Sequence, residues 1–218
     1  MIGVLLLREI TVGTRTRAFA AALAVHAGLL AAFVMLWSGG VPLLPGGNLY
    51  EQQRLVDAAI LLGILPWVAS RCGADERGDR LVMISALAAT PPSRILLARF
   101  VARTCACIVV GLAGLPLMVA AQQMSAVPLG RVAFDLLPLV ALALLASAAS
   151  LWWSLQSRGV IVAWACATAS TALVTVGAAR SVPGGVAPLV VAVLAAVAMA
   201  SCAARADTTL RYLSEQDR

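Results

Sequence analysis

Residues 18–37 read AFAAALAVHAGLLAAFVMLW, twenty residues in which His26 is the sole ionisable side chain. At about 1.5 Å of rise per residue such a helix measures about 30 Å, the thickness of a bilayer's hydrocarbon core. It is apolar on every face, so no orientation against a soluble core would leave it a wet side. A chain built on this segment folds in lipid, where each segment must satisfy its own backbone as a helix or within a closed barrel.

The same pattern recurs. Apolar runs bounded by charge, glycine or proline predict further spans over residues 55–70, 95–121, 132–155, 159–179 and 186–204, the last two joined by the turn RSVPGG. The composition agrees, with 61% hydrophobic and 12% charged residues against about 25% charged in soluble proteins. The expected fold is all-α: a polytopic membrane protein with a bundle of six transmembrane helices. Small residues such as those of ALALLASAAS, residues 141–150, let helix backbones approach closely in lipid.

Every basic residue is arginine. Arg8, Arg15, Arg17, the six from Arg71 to Arg103, Arg158, Arg205, Arg211 and Arg218 fall on one side of this topology, and Arg54, Arg131 and Arg180 on the other. The positive-inside rule makes the richer side cytoplasmic and puts both termini there. It also accounts for the net charge of +6 without nucleic acid. Residues 1–17 are expected to form a cytoplasmic interfacial helix, and 205–218 a cytoplasmic tail. A cleaved signal peptide is the competing reading of the first segment, but twenty apolar residues exceed the roughly 7–15 of a signal's apolar core.

Chemistry is sparse. With no lysine anywhere neither a P-loop nor a lysine Schiff base is possible, so ATP hydrolysis by that route is excluded, as is any enzyme that uses such a base. His26 has no carboxylate or second histidine at helical spacing, and the five cysteines contain no C-x-x-C pair, so no metal or cofactor is expected. Apart from Arg99 and Arg103 in the first turns of the third span and the scattered cysteines, three ionisable groups fall inside predicted spans, His26, Asp57 and Asp135. Such groups in a membrane line pathways or snorkel toward headgroups, and both readings stand for the two aspartates.

The largest charge cluster lies between the second and third spans, where DERGDR is followed by the short apolar run LVMISALAATPP and then SR. A charged start, an apolar middle and a proline stop predict a short cytoplasmic helix with a face to offer a partner. This stretch resembles the loop E-R-x-x-G-T-L-x-x-L-L-x-T-P-x-S-R of permease subunits of ATP-binding-cassette (ABC) transporters, in the type 2 exporter class. Glu76, Arg77 and Gly78 look like its start and Leu87, Ala89, Thr90, Pro91, Ser93 and Arg94 like its end, with Arg99 where a lysine is usual; the Gly-Thr-Leu triplet is missing.

The resemblance implies a coupling helix within residues 71–94 that docks on a separate ABC ATPase subunit. It further implies a pathway formed with a second permease chain, the same or homologous, in a bacterial inner membrane. Two other classes fit the composition: a membrane assembly or scaffold subunit that transports nothing, and a membrane-embedded enzyme, for which the clustered carboxylates or nucleophile–base pair are missing.

Overall fold

A computed structural model describes residues 7, 10–11, 16–38, 40, 48–71, 91–156, 159–181 and 187–216. The described residues contain no strand; they are helical apart from short turns. In chain order the helices are α1 (Arg17–Ser38), α2 (Leu49–Arg71), α3 (Pro92–Leu112), α4 (Leu115–Met124), α5 (Leu129–Gln156), α6 (Val160–Ser181) and α7 (Ala187–Gln216).

Local chemistry sets the ends. Thr16 and Asn48 stand just before α1 and α2, and their side-chain oxygens accept the N–H of the third helical residue, Phe19 at 3.2 Å and Glu51 at 2.9 Å. Capping at Asn48 starts α2 at Leu49 rather than at Leu55, where hydropathy alone began it, because Tyr50, Glu51, Gln52 and Arg54 are helical although polar. At the other end of the chain α7 runs on to Gln216, through much of the segment expected as a tail.

The third predicted span is two helices. Pro116 offers no N–H to the carbonyl four residues back and its ring crowds that carbonyl, so α3 ends at Leu112 and α4 begins at Leu115. Ala113 and Gly114 close α3 with tighter bonds, their N–H groups donating to Val110 O and Gly111 O at 3.2 Å each.

By length and composition five segments can cross a membrane: Arg17–Ser38, Leu49–Ser70, Ser93–Met124, Leu129–Gln156 and Val160–Ala178. Among the described residues these are five of the expected six. The apolar part of α7, Pro188–Ala204, is shorter than a full span. The outward faces support a lipid environment, since Leu29, Met35, Leu137, Ile161, Leu173, Leu189, Val193 and Val197 are all exposed; in water, so many large exposed apolar side chains would be a liability.

α5 is the hub, packed against α2, α3, α4, α6 and α7, while α1 lies at one flank against α2 and α3. One face of α5 (Ala141, Leu145, Ala148) meets Val191 and Ala195 of α7, and another (Leu142, Ala143, Ala146) meets Leu61 and Leu65 of α2 and Ala106, Cys107 and Val110 of α3. Alanine on both faces allows one helix to be enclosed on two sides. α2 passes through Pro66 without ending, and neighbouring donors reach the carbonyls around it. Ser150 Oγ donates to Pro66 O at 3.2 Å, and Trp164 Nε1–H to Gly63 O at 3.3 Å.

Candidate functional site

The polar residues of α2 share one face, because Tyr50, Arg54 and Asp57 follow at helical spacing. At the start of the helix that face meets α5. Tyr50 OH donates to Asp135 Oδ2 at 2.7 Å, and Arg54 Nη1 lies 3.1 Å from Asp135 Oδ1, with the Arg54 side chain 42% exposed and that of Asp135 8%. Arg131 and Glu51, both about half exposed, stand 3.8 Å apart beside them. The turn between α4 and α5 joins the cluster through Ser125 Oγ, which accepts the Tyr50 N–H at 3.2 Å. Gln122 Nε2 donates to Val127 O and closes that turn.

Two turns further along α2, Asp57 meets α1. Its Oδ1 lies 2.6 Å from His26 Nε2, and His26 Nδ1 lies 2.9 Å from Val110 O. Val110 is the residue whose carbonyl an unbroken helix would have given to the N–H of Gly114. The interruption imposed by Pro116 turns that N–H to Gly111, and Val110 O accepts both the Ala113 N–H at 3.2 Å and, on its second lone pair, the imidazole at 2.9 Å. Gly114 itself packs on the pair: a Cβ there would stand 2.9 Å from Leu30 Cδ1, 3.2 Å from Asp57 Oδ1 and 3.3 Å from His26 Cε1. His26 has no exposed surface and Asp57 is 7% exposed.

A cavity of about 370 Å³ joins the two clusters. Arg54, Asp57 and Asp135 line it; its remaining wall is mostly apolar and includes Gly111, Pro138 and Thr175. Of the elements that line it, α2 carries Pro66, α4 has Pro116 in its first turn and α5 carries Pro138, while α6 has no proline. A second cavity, about 450 Å³, is wholly different: it lies between α1, α2 and α6 and is lined by apolar side chains including Trp67 and Trp164.

The residues singled out from sequence therefore divide. His26 and Asp57 are brought together, and Asp135 joins the same cavity from another helix. Pro91 is exposed in extended conformation ahead of α3, and Ser93 and Arg94 lie in its first turn. Glu76, Arg77, Leu87 and Thr90 lie outside the described residues. Among the described residues no three His, Cys, Asp or Glu side chains cluster as metal ligands.

Sequence reasoning passed over Tyr50, Arg54, Val110 and Gly114. The first two were accessible, as polar residues in register with Asp57 at the head of an apolar helix. The contribution of Val110 is a main-chain oxygen and that of Gly114 an absent side chain, so neither carries a signal in its residue type. Compared with known protein families, with curated proteins and with solved structures, the chain matches none.

Proposed function

We propose that this chain is the transmembrane permease subunit of an ABC transporter of the type 2 exporter class. It contributes a substrate pathway and is driven by a separate ATPase subunit. In this reading α7 completes a six-span bundle, both termini are cytoplasmic, the membrane is the bacterial inner membrane, and two permease chains form the working unit. The observation that carries the reading is the cavity between α2, α3–α4 and α5. It is a partly open space at membrane depth with charged groups on an apolar wall, and α2, α4 and α5 around it each contain a proline. Non-helical hydrogen bonding at such depth is tolerated where it lines a cavity or is buried in protein.

The loop between α2 and α3 supplies the coupling. A chain without a nucleotide site is driven through differential contacts with a subunit that has one, and a short element held between two membrane helices transmits such a shift. Leu87 belongs to the apolar middle of that element, so Leu87→Asp would bury an unpaired carboxylate at the ATPase, a cost of several kcal/mol and hence orders of magnitude in affinity. Glu76→Ala and Arg77→Ala, at a wet rim, cost about 0–1 kcal/mol. The test is co-purification of the ATPase with each variant, normalised to permease in the membrane. Expected are loss in Leu87→Asp, partial retention in the other two and normal insertion in all. Undiminished association in Leu87→Asp overturns the coupling role and favours the scaffold reading.

A further inference from the structure

The hydrogen bonds of His26 count its protons. A carbonyl oxygen only accepts, so the nitrogen facing Val110 O, Nδ1, carries a hydrogen. The other nitrogen, Nε2, stands 2.6 Å from Asp57 Oδ1, shorter than the usual 2.7–2.9 Å of a charge-assisted bond. Without a hydrogen between them two lone pairs would face each other at that distance. The pair thus carries a second hydrogen, written either as imidazolium facing carboxylate or as imidazole facing carboxylic acid. Both forms have zero net charge, which is what burial of the two side chains tolerates. Loss of that hydrogen leaves one uncompensated negative charge and two opposed lone pairs.

The surroundings give this hydrogen a route and a consequence. Asp57 lines the same cavity as Asp135 and the half-exposed Arg54. Of the other ionisable groups on the elements packed here, Arg54 and Asp135 are neutralised by each other, and Tyr50 is bonded to Asp135. Glu51 and Arg131, both about half exposed, face each other at 3.8 Å. On α3, Cys107 is turned to Leu65 O, while Arg99 and Arg103 lie two to three turns closer to the helix start than Val110. α4 carries no charged residue, and α6 contributes the Thr175 hydroxyl to the cavity. Gly114 leaves no gap on its side of the pair, so the opposed lone pairs of the deprotonated state are relieved by separating α1 from α2.

We propose that His26 and Asp57 form a binding site for one exchangeable proton, reached through the cavity, whose binding clamps α1, α2 and the α3–α4 junction together and whose loss releases them. The proposal stands whether or not an ATPase drives the chain, and its failure leaves the permease reading untouched.

His26 is the sole histidine, so a chain labelled with 15N-histidine in lipid nanodiscs reports a single imidazole. Followed across a series of pH values, Nδ1 should stay protonated while the Nε2 resonance responds to pH. In Asp57→Asn the carboxamide N–H donates to Nε2, which should then be bare at every pH. Spin labels at Leu29→Cys and Leu55→Cys, both exposed, in a chain freed of its own cysteines, should report an α1–α2 distance that lengthens as the proton leaves. With Asp57→Asn that distance should stay constant. A bare Nδ1, an Nε2 response unchanged by Asp57→Asn, or an α1–α2 distance indifferent to pH in the parent chain would each overturn the proposal.

Discussion

Two helix junctions at membrane depth are held by opposite means. Where α5 meets α7, Ala141, Leu145 and Ala148 lie on Val191 and Ala195 with no directional bond among these side chains. Where α1 meets α2 and α3, two buried hydrogen bonds pass through one imidazole to a carboxylate and a main-chain oxygen. Small-residue contacts depend on close approach and tolerate sliding; a hydrogen-bonded pair in an apolar setting has one register and a large cost of being half made. One junction is thus packed without directional bonds, and the other is held by a hydrogen-bonded pair.

The contrast breaks most sharply if the pair is halved. Asp57→Leu should lose about 3–5 kcal/mol, because it strands a buried polar partner, whereas the double change with His26→Leu should recover much of that loss. Equilibrium unfolding of both variants in mixed micelles gives the coupling directly; additive losses would mean that the two side chains do not depend on each other.

A smaller effect is expected from volume. Gly114→Ala places a methyl group against Leu30, Asp57 and His26 at 2.9–3.3 Å and should cost about 1–3 kcal/mol by overpacking. Gly28→Ala on α1, with nothing within 4 Å of the new atom, should be neutral or stabilising by up to about 1 kcal/mol through helix propensity. The same unfolding measurement separates them, and equal effects would mean that the junction has slack.

The smallest effects concern alanine itself and should differ in sign. Ala148→Gly, fully buried in the apolar junction, should lose about 1 kcal/mol through helix propensity and lost contact. Ala126 closes the turn after α4 at φ 52°, a left-handed conformation that costs an L-residue roughly 1 kcal/mol. Ala126→Gly should therefore gain up to about 1 kcal/mol, less the added freedom of the unfolded chain. A loss at Ala126 would point to a role for its methyl group that the turn geometry does not indicate.

Much of the fold was legible. Residues 18–37, 132–155 and 159–179 announced α1, α5 and α6 within a few residues, since hydropathy along a continuous run is a property of neighbours in the chain. The head of α2 was hidden because Tyr50, Glu51 and Arg54 are polar, and only the Asn48 cap and the contacts with α5 make a helix of them. The break at Ala113–Gly114 was foreshadowed by Pro116, yet its use was not.

By itself the amino-acid sequence determined the solvent, the helical class and the approximate extent of most spans, because a bilayer imposes its thickness and its demand for internal hydrogen bonds on any segment that enters it. It also placed His26, Asp57 and Asp135 among the ionisable groups inside the spans. Their partners were a matter for tertiary structure alone. His26 meets a carboxylate 31 residues away and a carbonyl 84 residues away; Asp135 meets Tyr50 and Arg54 across 85 and 81 residues. Local pattern carries no information on such pairs. They arise when the packing of whole helices brings together a side chain, a main-chain oxygen with a second lone pair to offer and a residue with no side chain to intervene.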